Sequence, residues 1–312
     1  MHQLPSDRLH LARPLFEDSR FHGSILAVLA GTADGEVLVD SLSEPAVAVL
    51  SGPEGIYLGL SPDADPSLAR RHIADWAYVY EPSATGMRED ALPHPHFVQH
   101  ARLAYRLDAS APQPQTPALP MGARLRAADL DGVEIEIDGA LVSWCRPDCS
   151  VPGYMEIGVG TIPGFRRRGL AHAAAATMTS LAAAAGYAVG WHCHASNRAS
   201  RALARRLGFD LVAEYTARSA SLPAENAGDL HEAELLHLAG RFRDGAADFN
   251  WLRFHAAAAF CQAGQTNAAL DDLHALVRNG WSGRRDWLES HWAFEPLQGS
   301  PAFLEVLARL PE

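Results

Sequence analysis

The stretch Ile162–Ala171, IPGFRRRGLA, decides how this chain is read. Three consecutive arginines stand between a proline turn and a glycine, in a chain of 312 residues whose formal net charge is -11. Like charges held so close repel one another unless an anion or much water lies beside them. The flanking sequence offers the geometry for an anion. Upstream, MEIGVGT (155–161) reads as a strand; downstream, GLAHAAAATMTSLAAAAG (169–186) is rich in strong helix formers and ends on Gly186, which suits a helix C-cap. A tight turn at Pro163-Gly164 and a helix opening near Gly169 would leave free backbone N–H groups at the positive end of a helix dipole. Gly169 has no Cβ and lets the backbone approach an anion, Ala171 keeps the next step small, and the arginines can add charge-assisted hydrogen bonds. Taken alone, such a turn reads equally well as a solvated helix start.

Working outward, VEIEIDGALVSWC (133–145) carries the hairpin signal Asp138-Gly139 between alternating residues. AVGWHCHA (188–195) reads as another strand, and NRASRALARRLGF (197–209) as a short helix stopped at Gly208. The order is hairpin, strand, helix, strand, helix, strand. RRRGLA (166–171) then resembles the R/Q-x-x-G-x-G/A loop of the GCN5-related N-acetyltransferase superfamily, abbreviated GNAT, with Pro163 three residues before Arg166. Asn197, followed by Gly208-Phe209, resembles that family's second motif. The resemblance covers about 133–215.

The resemblance implies a mixed α/β fold: a GNAT-type mixed sheet with two splayed central strands, here 155–161 and 188–195. It also implies acetyl-CoA, or another acyl-CoA, as co-substrate. Val159, Gly160 and Thr161 would bind the pantetheine arm through their backbone. Arg166, Arg167, Arg168, Gly169, Leu170, Ala171 and His172 would cradle the pyrophosphate, and Asn197 would lie near the thioester. Where many members carry a carboxylate base, this chain has His192, whose ordinary pKa near 6.5 suits the task. His194, two residues on, shares its strand face, and Glu156 on the partner strand is a second candidate; the two histidines read equally as hydrogen-bonded strand residues. The family's usual tyrosine acid is replaced by Ala204, so no hydroxyl stands at that position. With no cysteine in an activating setting, Cys193 included, the expected chemistry is direct transfer to an amine in a ternary complex. The amine belongs to a small molecule or a protein. The alternatives are a non-catalytic acyl-CoA-binding regulator, or an interaction scaffold carrying a vestigial enzyme.

Composition narrows the field. Hydrophobic residues make up 48% of the chain, no apolar run approaches the roughly 18–20 residues of a membrane span, and the N-terminus has no uninterrupted apolar segment. The acidic balance argues against nucleic-acid partners and suits a cationic substrate. No lysine occurs. Cys145, Cys149, Cys193 and Cys261 form no dense framework, which points to a reducing cytoplasm. Cys145, Cys149, His192, Cys193 and His194 could suggest zinc, but strand alternation sends Cys193 away from the histidines, and no metal is expected.

Two seams divide the chain: the proline-rich Asp108–Pro120 and the turn-rich Ser219–Asp229. The expected parts are an N-terminal α/β lobe (1–107), a linker (108–120), the GNAT-like domain (121–218), a second linker (219–229) and an α-helical domain (230–312). In the first lobe, EVLVD (36–40), AVAVL (46–50) and GIYLGL (55–60) read as strands, followed by a helix over 66–76 and a strand WAYVYEP (76–82). That order suggests either a degenerate GNAT-like lobe, with SPDADP (61–66) in place of the phosphate loop, or an unrelated cap. The tail is patterned as amphipathic helices. Within it, FHAAAAFCQAGQTNAALDDLHAL (254–276) resembles one tetratricopeptide-type hairpin, with Ala257, Phe260, Gly264 and Ala269 at fitting positions. The resemblance implies partner docking or dimerisation through these helices; plain core packing is the alternative.

Overall fold

In the computed structural model, which describes residues 1–81 and 89–311, Asp138 and Gly139 both take positive φ, 52° and 81°. That is the two-residue hairpin geometry whose twist matches the strands it joins. The strands are β1 (His2–Gln3), β2 (Glu36–Val39), β3 (Val47–Gly52), β4 (Gly55–Leu60), β5 (Val79–Tyr80) and β6 (Val98–Leu107), then β7 (Ala123–Ala127), β8 (Val133–Ile137), β9 (Ala140–Val151), β10 (Tyr154–Thr161), β11 (Ala188–His194) and β12 (Asp210–Ser219). Among the described residues they form one mixed sheet in the order β1-β2-β3-β4-β5-β12-β6-β11-β10-β9-β8-β7.

That order contains a repetition. In the first half β3 and β4 make an antiparallel hairpin, and β4 runs parallel to β5 through Ile56↔Val79 and Tyr57↔Tyr80. In the second half β9 and β10 make the hairpin, and β10 runs parallel to β11 through Met155↔Val189 and Glu156↔Gly190. The sixth strand of each half crosses over: β6 pairs with β11, β12 pairs with β5, and β6 and β12 pair with each other at the centre. The sheet therefore runs unbroken through the seam expected at 108–120, and the second half is completed by a strand from the first.

The helices are α1 (Gly23–Ala30), α2 (Leu170–Ala184), α3 (Arg198–Arg206), α4 (Glu232–Gly245), α5 (Leu252–Gln262), α6 (Thr266–Arg278), α7 (Arg285–Ser290) and α8 (Pro301–Leu307). Helix α1 packs against both β3 and β9, distant strands in the order, so the sheet curls around it. Three apolar clusters result. One joins α2 and α3 to the second half through Ile135, Ile157, Trp191 and Ala204; a second surrounds α1 with Phe16, Tyr57, Tyr80 and Tyr215; the third packs α4–α8 on the first half through Leu58, Val79, Phe242, Leu252 and Phe294.

The helix expected over 66–76 is replaced by two short 3-10 turns, Pro66–Leu68 and Arg70–His72. Ile73 leaves helical geometry (ψ 122°), and Trp76 stays exposed, so no apolar stripe continues long enough to pay for a longer helix. Of the strand expected at 76–82, Val79–Tyr80 is paired, while Pro82 lies outside the described residues. The sequence pattern did not indicate α1. In the tail, α5 and α6 are joined through Gly264 (φ 74°), with Ala257 and Ala269 fully buried. Their apolar face belongs to the cluster that also holds Val47 and Leu58 of β3 and β4. Buried Asp272 of α6 pairs with Arg243 of α4 at 2.7 Å and Arg253 of α5 at 2.9 Å. No helix among the described residues is long and apolar enough to cross a membrane.

Candidate functional site

Beyond Glu156 and Gly190 the parallel strands part company. β10 continues to Thr161 paired only with β9, and β11 continues to His194 paired only with β6. Backbone groups along both inner edges therefore face a gap without a strand partner. The gap opens into a cleft of about 900 Å3 lined by Val159, Gly160, Thr161, Arg166, Arg167, Gly169, Leu170, Ala171, His172, His192, Glu156 and Asn197. Gly169 sits at φ 78° as the N-cap of α2, and the first helical bond runs from Ala173 N to Gly169 O. Among the described residues the amides from Arg167 to His172 find no backbone acceptor, as an opening helix requires. Arg167 also takes a positive φ of 64°, the strained conformation that turns the chain into the helix.

The cradle is less uniform than the motif suggests. Arg166 donates to Thr161 O at 3.3 Å and to Asn226 Oδ1 at 3.4 Å. Arg168 turns away from the cleft, donating to Gly164 O and lying 5.1 Å above the Phe165 ring. Asn197 is first a helix cap: its Oδ1 accepts from Ser200 N at 2.9 Å and its Nδ2 donates to Glu225 Oε2 at 2.6 Å. Glu225 and its neighbours to Asp229 form one wall of the cleft, so the segment expected as a second linker is part of the site.

The inner end is a polar cluster built by both halves. Glu156, at 2% exposure, accepts from Gly23 N at the start of α1, from Tyr154 OH and Cys149 Sγ at 3.4 Å, and from His192 Nε2 at 3.2 Å. A Cβ at position 23 would fall 2.7 Å from Cys149 Sγ, so only glycine lets the helix end come this near. His192 Nε2 also lies 3.2 Å from Phe21 O, and its Nδ1 lies 2.8 Å from Tyr215 OH. Arg102 donates to Tyr215 OH at 3.4 Å. β9 bulges opposite Glu156 and Ile157, with Asp148 as the extra residue, and its carboxylate is brought against Gly158. Glu54, on the turn between β3 and β4, faces the same cleft and accepts from Tyr57 OH at 3.3 Å. His194 shares its face with His192 but lines a neighbouring cavity, 3.6 Å from Glu225. Ala204 is fully buried in the core.

With this geometry in hand, residues 130–218 match the family model described as GNAT acetyltransferase. Over this stretch the chain is similar to the GNAT acetyltransferases and shares their fold. Among solved structures, a GCN5-related N-acetyltransferase-like protein from Streptococcus suis is similar over 69% of this chain and 98% of its own, at 19% identity and a TM-score of 0.54, a likeness of fold. A GCN5-related N-acetyltransferase from Sphaerobacter thermophilus covers 69% of this chain and 91% of its own, at 17% identity and a TM-score of 0.47. No curated protein matches the chain.

The electrostatics at the inner end of the cleft follow from burial and crowding. Burial pushes the Glu156 carboxyl up, but the His192 charge and hydrogen bond oppose it, and the net direction is below the usual range. Burial, then the charge of Glu156, pushes Glu54 up to about 7 and Asp148 up to about 6. Burial, then Arg102, pushes His194 down to about 3, which keeps it neutral. Burial raises Cys145 to about 12 and also raises Cys193, so both are thiols. Cys145 and Cys193 sit in the α2 core while His192 and Cys149 face Glu156; among the described residues no group of three or more His, Cys, Asp or Glu side chains is placed to hold a metal. Glu54, Arg102, Asp148, Tyr215 and Glu225 were missed by sequence reasoning. Four of them lie outside any motif, and Asp148 carries no signal until the bulge is seen.

Proposed function

We propose that the chain is a cytoplasmic acyl-CoA-dependent N-acyltransferase that passes an acetyl group directly from acetyl-CoA to an amine. The observation that carries this reading is the cleft between the parted ends of β10 and β11, closed at its outer end by the αL glycine and free amides of an opening helix. A diphosphate fits that end, where backbone N–H groups, the helix dipole, Arg166 and Arg167 converge. An extended arm fits the unpaired edge at Val159–Thr161, which offers strand-like hydrogen bonds. Amide donors on the same edge suit an oxyanion formed when a thioester carbonyl is attacked. The acidic inner end favours an acceptor that arrives as a cation.

Calorimetry with acetyl-CoA tests the reading. Micromolar binding by the wild type that is lost in Gly169→Glu supports it, and absence of binding by folded wild-type protein ends it. A second reading, an acyl-CoA-binding regulator without turnover, is favoured by the burial of Ala204 where a tyrosine acid is usual. Release of CoA thiol above the buffer rate separates the two.

A further inference from the structure

We propose that Glu54, contributed by the first half of the chain, is the base that takes the proton from the attacking amine, so that both halves share one catalytic centre. This rests on the acyl-CoA reading above. Four groups at the inner end of the cleft can accept a proton: Glu54, Asp148, Glu156 and His192. Two of them are committed to each other. His192 Nε2 faces two acceptors, Glu156 Oε1 and Phe21 O, so it carries the hydrogen. Its Nδ1 is taken up by Tyr215 OH at 2.8 Å, which Arg102 also contacts. Glu156 already accepts from Gly23, Tyr154, His192 and Cys149. Using either as base would break a buried hydrogen bond, at the cost of a desolvated donor.

Glu54 is placed differently. Among the described residues its one hydrogen bond is the 3.3 Å contact from Tyr57, which leaves Oε1 available. It is half-buried, whereas Asp148 keeps more of its surface in solvent. The groups around it are Tyr57 of β4, Tyr78 just before β5, Tyr80 of β5, Arg102 of β6, Asp148 and Cys149 of β9, Glu156 of β10, His192 of β11 and Tyr215 of β12. Burial, then Glu156, gives it a proton affinity matched to neutral pH, where a base works best. In the step, the acceptor first leaves its ammonium proton in water, the neutral amine nitrogen attacks the thioester carbonyl carbon, and the C–N bond forms. One N–H proton passes to the Glu54 carboxylate. The C–S bond breaks with its electron pair on sulfur, a proton from water completes the CoA thiol, and Glu54 returns its proton to water.

The test measures acetyl-CoA binding by calorimetry, and thiol release with spermidine, tyramine or water as acceptor across neutral pH. Wild type is compared with Glu54→Gln, Glu54→Asp and Asp148→Asn. The expected result is a wild-type kcat/KM that rises through about pH 7. Glu54→Gln should bind acetyl-CoA within about 2-fold of wild type but lose that limb and roughly 100-fold or more in rate; Glu54→Asp restores part of it, and Asp148→Asn keeps the limb. Glu54→Gln with wild-type rate and limb overturns the proposal. So does loss of acetyl-CoA binding in both Glu54 variants, which marks a structural role. Wild type that binds acetyl-CoA but releases thiol no faster than buffer removes the base and leaves the regulator reading. Wild type that binds no acetyl-CoA removes the functional reading itself, an outcome visible before any variant is made.

Discussion

The two halves of the sheet share a strand plan and differ in what fills it. In each, a hairpin leads into a strand that runs parallel to the next for two or three residues, Ile56–Tyr57 beside Val79–Tyr80 and Tyr154–Glu156 beside Ala188–Gly190. In the second half the chain after β10 makes the αL turn at Gly169 and a helix of 15 residues, and the strands part around an open cleft. In the first half the chain after β4 passes through an acidic turn where Asp65 caps Ser67, followed by 3-10 turns. There Leu58 and Val79 are buried in one cluster with Phe242, Leu252 and Phe294 of the tail helices. One half keeps a polar gap; the other is packed shut. A shared topology thus leaves an open cleft only where the loop offers free amides and nothing apolar covers the strands.

Separate substitutions should break the halves independently. The largest expected effect is in the packed half: Phe242→Ala removes a fully buried ring and should cost about 3–5 kcal/mol in urea unfolding. At temperatures where the variant stays folded, its acetyl-CoA affinity should match wild type. Next comes Gly169→Glu in the open half, expected to weaken acetyl-CoA by about 100-fold or more, or roughly 2.7 kcal/mol. A Cβ there meets nothing within 4 Å, so charge and the φ of 78° would cause the loss rather than a clash, and Gly169→Ala should lose only the strain, about 1–2 kcal/mol.

A third test sits on the seam between the halves. Glu54 is raised from an ordinary 4.5 to about 7 in the folded state, so the stability compatible with its neutral form is complete below 4.5 and is lost as pH rises through about 7. Glu54→Gln escapes that loss. Relative to wild type it should gain about 1–2 kcal/mol between pH 5 and pH 8, allowing for solvent screening, in denaturant titrations at both values. Equal stability differences at the two pH values would mean that neither burial nor the Glu156 charge holds Glu54 in its neutral form. The smallest effect separates two arginines: Arg168→Ala should change acetyl-CoA affinity by less than about 2-fold, and Arg167→Ala by about 5-fold, because one arginine covers Phe165 and the other lines the cleft.

Much of the open half was legible because its signals are local. Asp138-Gly139 admits few turns, Gly169 after a basic turn admits few loops, and the alanine-rich run after it can hardly be anything but helix. The packed half misled where local signals were weak: Pro66 and the alanines suggested a helix that Ile73 ends early. The loop residues around Gly169 could be named from the sequence, although only contacts across the loop reveal that Arg168 folds back and that Asn197 is a cap held by Glu225.

What the sequence determined by itself was the run of elements from Val133 to Ser219 and the anion-ready turn within it, since both depend on neighbours a few residues apart. What only the tertiary structure decided was the exchange of β6 and β12 between halves, the curl of the sheet around α1, and the meeting of Glu54, Arg102, Glu156, His192 and Tyr215 at one point. Those groups come from five separate strands or turns. Their positions are set by register and by sheet curvature, long-range quantities that no short stretch of sequence encodes.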